Sequence, residues 1–252
     1  MMLVDTHAHL CDPVFDPDRE SVLERAQAAG ISTVIAVGED LDDAEKNLLL
    51  AEAHPMIRPA AGLYPTCLDP DRAAEMCKFI RRHRDKLAAI GEVGLDHWLI
   101  KSEPEREIQR EIFRGFIELG KELDLPLNVH SRSAGRHAVS FLLEHSAARV
   151  QLHAFDGRFV SAMPAVEAGF FFSVPPSIVR SEQKQKLVKK LPLSCLLVET
   201  DSPVLGALAK ERNEPANVLI AVKKIAELKR LSESEVMEEL SENTRRLYHF
   251  PD

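Results

Sequence analysis

Val4-Asp5-Thr6-His7-Ala8-His9-Leu10 opens the chain as an apolar run that breaks into His-x-His. In a strand, alternate side chains point to one face, so His7 and His9 look the same way. Two imidazoles on one face at a strand end can hold one divalent metal. Two unrelated histidines on a surface strand would give the same letters, so the pair alone is weak evidence. Read as the first of a series of apolar runs, the stretch decides the fold.

Leu3–Leu10 reads as a first strand, and seven more apolar runs succeed it: Ser32–Gly38, Met56–Leu63, Leu87–Val93, Leu125–His130, Arg149–His153, Phe170–Val174 and Cys195–Glu199. Helical patterns alternate with them at Asp16–Gly30, Leu41–Ala53, Asp71–Arg84, Glu105–Asp124, Ala134–Glu144, Val160–Ala168, Ser181–Lys190 and Asn217–Leu228. The fourth helix is the clearest, with Ile108, Ile112, Phe116, Leu119 and Leu123 on one stripe. A last helix starts after Ser232, where Ser232 and Glu235 form a capping-box pattern. Eight strand-then-helix units imply a parallel sheet closed into a single-domain α/β fold, a (β/α)8 TIM-like barrel spanning residues 1–252. The alternative is an open doubly wound sheet. No Gly-rich phosphate loop follows the first strand, which counts against its dinucleotide-binding form.

The 252 residues are 45% hydrophobic, enough for one large core. A formal net charge of −8 argues against binding bulk duplex DNA by charge alone, and leaves room for a local basic mouth. The four cysteines, Cys11, Cys67, Cys77 and Cys195, form no C-x-x-C and suggest a reducing compartment. There is no signal-peptide pattern at the start and no apolar run of membrane-helix length. A cytoplasmic protein is expected, or a nuclear one if the source is eukaryotic, with no membrane and no obligate protein partner.

Metal-type residues fall at the ends of the predicted strands. They are His7 and His9 after the first, Glu92 after the fourth, His130 after the fifth, His153 after the sixth and Asp201 after the eighth. Each has a bland reading alone: a hydrogen-bonded rim histidine, a loop carboxylate, a turn-opening Asp. In a barrel, however, these ends form one rim, where active sites sit. Six such side chains on one rim point to a metal centre.

The stretches VDTHAHL, GEVGLD, NVHSRSAGR, LHAFDGR, VETDSP and RNEPANV resemble the TatD family of metal-dependent deoxyribonucleases, part of the amidohydrolase-like barrels. The resemblance runs from Leu3 to about Tyr248, and HAFDGR and RNEP resemble most an animal branch, the third TatD-domain proteins. It implies two divalent ions (Zn, Mn or Mg). His7 and His9 would bind the first, Glu92 would bridge, and His130 and His153 would bind the second. Asp201 would join the first metal and face the attacking water, so Glu92 and Asp201 are the expected catalytic pair. It further implies hydrolysis of DNA phosphodiesters through a two-metal-activated water, as a 3′-to-5′ exonuclease on single-stranded DNA or frayed 3′ ends. Two departures stand out: Tyr64 occupies a position where many relatives carry His, and His97-Trp98 follows GLD.

Two metals about 3.5–4 Å apart suit an anionic diester, because they offset its charge and activate water. Mixed imidazole and carboxylate ligation suits Zn or Mn. Around this centre Arg132 and Arg158 are placed to grip phosphate bidentately. Tyr64, Trp98 and Phe155 are placed to stack on bases, and His97 to donate a proton, touch phosphate or simply line the mouth. Lys184, Lys186, Lys189 and Lys190 read as a solvated helix face. Arg212 reads as a second phosphate grip or a structural partner of Asp201 or Glu214. Two other functions fit the same chain: a metal-dependent hydrolase of an amide, lactone or small phosphoester, and a non-catalytic binding protein that kept the fold. Intact Glu92 and Asp201 argue against the last.

Overall fold

Eight strands pair in parallel and in chain order, β1 to β8, in a computed structural model that describes residues 3–250. They are β1 Leu3–Ala8, β2 Ile31–Ala36, β3 Ile57–Ala61, β4 Ala89–Gly94, β5 Leu127–His130, β6 Val150–Leu152, β7 Phe171–Val174 and β8 Leu196–Val198. The seam between β8 and β1 is closed just past β8. Asp201 N–H donates to His7 O and His9 N–H donates to Ser202 O, both at 2.8 Å, across a parallel Ala8–Ser202 bridge. The eight-unit barrel is therefore present, and the open-sheet alternative is not.

Helices follow the strands: α1 Arg19–Ala28, α2 Leu41–Ala53, α3 Pro70–His83, α4 Glu103–Leu123, α5 Gly135–Glu144, α6 Phe159–Glu167, α7 Glu182–Lys190, α8 Val218–Lys229 and α9 Glu233–Tyr248. Side-chain caps set the starts of α2, α3, α4, α7 and α9. Asp69 accepts from the N–H groups of Asp71 and Arg72 with Pro70 at the first position, Ser181 accepts from Lys184 N–H, and Ser232 with Glu235 forms the full capping box. No helix among the described residues is long and apolar enough to cross a membrane.

Two apolar layers hold the barrel. Outside it, helix faces bury residues such as Leu23, Phe116, Ile117, Leu142 and Val222 against the strands. Each such side chain contributes about 1.5–3 kcal/mol. Inside its lower half, Val4, Ile35, Ala60, Ala89 and Leu197 pack against Leu247 and Tyr248 of α9. The last helix thus plugs the base.

Two expectations need correction. The α4 stripe holds except at its start: Phe116 and Leu119 are buried and Ile112 and Leu123 pack against the core, while Ile108 is 39% exposed. Phe113, Ile117 and Gly120 join the buried face, which is centred to one side of the expected row. Several strands are also shorter than their apolar runs, as in β6 and β8. The chain turns out of the ladder just past these two, with positive φ at Ala154 (43°) and Asp201 (53°).

Candidate metal centre

Five strand ends converge on a cleft of about 470 Å³ at the C-terminal rim. A cavity of about 510 Å³ beside α1 and the start of β2 is lined by Leu23, Gln27, Ile31, His54 and Met56. It takes in none of the clustered metal-type donors found among the described residues, so the chemistry belongs to the smaller cleft.

β1 delivers His7, and the residue pairing across the seam delivers His9 and Asp201. His7 Nε2 lies 3.3 Å from His9 Nε2 and 3.4 Å from Asp201 Oδ1, and His9 Nε2 lies 3.6 Å from the same oxygen. These spacings match the edge of a tetrahedron of nitrogen and oxygen ligands, about 3.3 Å for bonds near 2.0–2.1 Å. Glu92, at the end of β4, divides its two oxygens. Oε2 lies 3.5 Å from His9 Nε2, and Oε1 lies 2.7 Å from His130 Nδ1 and 2.8 Å from His153 Nε2. Two groups with the chemistry of a divalent-metal donor set, His7–His9–Asp201 and Glu92–His130–His153, thus meet at one carboxylate. A third possible grouping, His7–His153–Glu199, shares its rings with both.

The local backbone makes this approach possible. A Cβ at Gly94 (φ +142°) would lie 2.1 Å from His130 O, so only glycine lets β4 run this close to β5 beside Glu92.

The charges in the cluster act strongly on one another. Burial opposes charge on His7, but the carboxylates of Asp201 and Glu92 prevail and push it up to about 10. His130 is likewise resisted by burial and carried up to about 9 by Glu92 and Asp96. Burial would raise Glu92, yet His153 and His130 hold it well below the usual carboxylate range. Burial would raise Asp201 too, and His7 with His9 holds it low. A carboxylate field that favours a proton on each ring also favours a divalent cation.

Beneath the rim lies a polar layer that sequence reasoning missed. His7 Nδ1 meets Asn128 Oδ1 at 2.8 Å, and Asn128 Nδ2 donates to Thr6 O at 2.9 Å. Because Thr6 O can only accept, the amide's NH2 faces it, its oxygen faces His7, and the His7 proton sits on Nδ1. The lone pair of Nε2 is then directed into the cluster. His130 is fixed the same way from its other nitrogen, by Asp96 Oδ2 at 2.9 Å. Gln151 donates to Thr6 Oγ1 and Ser173 Oγ, Ser173 donates to Glu199, and Tyr248 OH donates to Gln151 Oε1 at 2.6 Å. Glu199 also accepts from Ala154 N–H, the residue after His153.

The expected substrate contacts separate. Tyr64 and Arg132 line the cleft, and the Tyr64 ring packs edge-on against His130 at 5.1 Å. Trp98 is 54% exposed at the rim, with the Arg132 guanidinium 5.2 Å from its ring. His97 is buried away from the cleft lining and packs on His137, and burial with the Arg106 charge pushes it down to about 4. Arg158 is exposed at the start of α6, outside the cleft lining. Three readings are overturned. Phe155 is a core ring packed on Phe172 rather than a stacking platform. Arg212 forks onto Asp18 at 2.7 Å rather than onto Asp201 or Glu214, and Arg25 lies between Asp18 and Glu214. Lys184 lines the cleft instead of a solvated face.

A parallel barrel with histidines and carboxylates clustered on its C-terminal rim defines a hydrolase of the metal-dependent barrel class. The family described as TatD related DNase matches residues 4–249, and the chain belongs to it. It is 44% identical to the human protein named Deoxyribonuclease TATDN3, over 98% of this chain and 94% of that one. It is 34% identical to the Bacillus subtilis metal-dependent hydrolase YabD, over 98% and 99% of the two chains. The crystal structure of the Escherichia coli TatD homologue YjjV superposes with a TM-score of 0.91 at 30% identity, covering 99% of this chain and 98% of that one.

Proposed function

We propose that this protein is a divalent-metal-dependent deoxyribonuclease that trims single-stranded or frayed DNA from its 3′ end. The observation that carries the reading is the division of Glu92 between two ligand groups, in a cleft also lined by Arg132. His7, His9 and Asp201 would hold one ion, His130 and His153 a second, with Glu92 between them. Bound there, such ions supply Lewis acidity to the phosphate and lower the pKa of water.

The chain's own groups do the rest. Asp201, held ionised, accepts a proton from the attacking water and returns it to the leaving sugar oxygen as the phosphorus–oxygen bond breaks. Asn128 and Asp96 keep the rings of His7 and His130 in the required tautomers. Arg132 grips a phosphate, and Trp98 and Tyr64 offer faces to unstacked bases. The name of the human relative, a deoxyribonuclease, supports the choice of DNA. An acidic chain with a small basic mouth suits an end better than a duplex groove.

The test is cleavage of 5′-labelled single-stranded DNA by metal-stripped protein refilled with Mg, Mn or Zn, beside Glu92→Ala. Ladders that shorten from the 3′ end, need metal and vanish in the variant are expected. Absence of cleavage with every ion, in protein that still binds metal, would move the assignment to an amide, lactone or small phosphoester.

A further inference from the structure

Many basic side chains on this barrel are matched to carboxylates. Arg25 forks onto Glu214, Arg81 onto Glu122, Arg212 onto Asp18, and Lys86 meets Glu52. Two cations line the metal cleft, Arg132 and Lys184, and neither forms an ion pair with any described residue. Lys184 is the more telling. It stands in the first turn of α7, fixed there by Ser181, and is half-buried. Its Nζ donates to Ala154 O at 2.7 Å, one bond for a group with three donors. Ala154 directly follows His153 in the chain, so the ammonium is tethered beside the second ligand group.

A half-buried ammonium with unused donors is costly unless something compensates it. The carboxylates of Glu199, Asp156 and Asp201 act on it from beyond ion-pair distance, and Arg180 is the like charge on the same side. Glu199 is engaged by Ala154 N–H and Ser173 Oγ, and Asp156 accepts from Ser133 N–H. None of these closes the ammonium's remaining positions. What lies before it is the cleft.

We infer that Lys184 is a phosphate-binding residue of the substrate site, which grips a phosphate oxygen from the α7 wall while Arg132 grips from the β5 side. The inference rests on the nucleic-acid reading above and adds to it a specific contact. Arg132 follows β5 and Lys184 stands on the helix after β7, so a strand that meets both cations lies along the β5–β7 arc of the rim, beside the Glu92–His130–His153 group.

The test uses metal-refilled wild type, Lys184→Met, Lys184→Arg and the control Lys189→Met, which removes the same charge from the exposed face of α7. Single-stranded DNA cleavage is measured across salt concentration, and inorganic phosphate binding is titrated calorimetrically on the same proteins. Lys184→Met is expected to raise KM about 10-fold or more with a smaller change in kcat. It should also flatten the slope of log(kcat/KM) against log salt by about 0.7, one phosphate contact on a single strand. Lys184→Arg should recover part of the loss, and Lys189→Met should match wild type. Unchanged KM, salt slope and phosphate affinity in a folded Lys184→Met overturn the inference even if DNA is cleaved. If wild type cleaves no DNA but Lys184→Met alone loses phosphate binding, the nuclease reading falls and the anion site stands.

Discussion

Asn128→Ala removes one side chain beneath the metal centre and leaves the β5 backbone in place. Three hydrogen bonds go, to His7 Nδ1 at 2.8 Å, to Thr6 O at 2.9 Å and to Tyr248 OH at 3.5 Å, the last of which keeps its bond to Gln151. Thr6 O retains Gln151 Nε2 at 3.2 Å, so the uncompensated loss falls on the buried His7 N–H. An orphaned buried donor costs about 1–3 kcal/mol. In a chain of this length each kcal/mol moves Tm by about 2–4 °C, so a fall of about 2–12 °C is expected. The loss of metal affinity is a separate quantity. An outer hydrogen-bond partner of a ligating histidine is worth about 10–100-fold in affinity. That loss should appear only at the His7–His9–Asp201 group, since His130 and His153 make no hydrogen bond to Asn128 among the described residues. Competition between the stripped protein and a chromophoric chelator for Zn, followed to saturation, reads both affinities and the stoichiometry. A lowered Tm with both affinities kept within twofold would show that Asn128 is only a packing residue, and the tautomer argument would be wrong.

Gly94→Ala should lower Tm by about 6 °C or more, or prevent folding, because its Cβ meets His130 O at 2.1 Å; a variant as stable as wild type in thermal melts would contradict the close β4–β5 approach. Trp98→Ala should leave Tm unchanged, since the ring is half exposed, and should raise KM for single-stranded DNA about 5–100-fold, the worth of one base stack; equal KM values would remove Trp98 from the substrate path. His97 is held down at about 4 by burial, against an ordinary value of 6.5, so the unfolded chain binds its proton first. The stability due to neutral His97 is therefore whole above about pH 6.5 and lost as pH falls to about 4. The urea stability of wild type minus that of His97→Gln should climb with pH across this window, and a flat difference would falsify the burial argument.

Strand and helix alternation was legible because each unit carries its own period and punctuation, and the clustering of metal-type residues at the rim was legible because they end apolar runs. The layer below them was less so. Asn128, Gln151 and Glu199 each stand two residues before His130, His153 and Asp201, a spacing that puts them on the same inward face one step deeper. That signal was present in NVH, QLH and ETD, but a polar residue inside an apolar strand reads first as noise. Tyr248 was not legible at all, since its meeting with Gln151 spans 97 residues of sequence and depends on α9 closing the base. Lys184 was misread because a lysine-rich turn looks solvated until the fold brings its Nζ to Ala154 O, 30 residues away. Arg212 was misread because its partner Asp18 lies 194 residues away.

The polar layer explains how the barrel can orient its candidate metal ligands largely independently of the residues at the cleft mouth. Buried Asn128, Gln151 and Glu199 would each destabilise the core if unpaired. Each is paired, and the bonding directions leave few alternatives: Thr6 O can only accept, so Asn128 must turn its oxygen to His7, and Tyr248 must donate to Gln151. The His7 and His130 rings are therefore oriented by His7–Asn128 from below and by His130–Asp96 from the side, without help from the mouth. Trp98, Arg132, Tyr64 and Lys184 stand above this frame, and Trp98 shares its loop with Asp96, whose carboxylate is tied down by Leu99 N–H rather than by the ring. Replacing Tyr64 with histidine would then change what the cleft binds more than whether it binds metal. The separation rests on hydrogen bonds made at each ring's far nitrogen, and it is least complete at Tyr64, whose ring packs edge-on against His130.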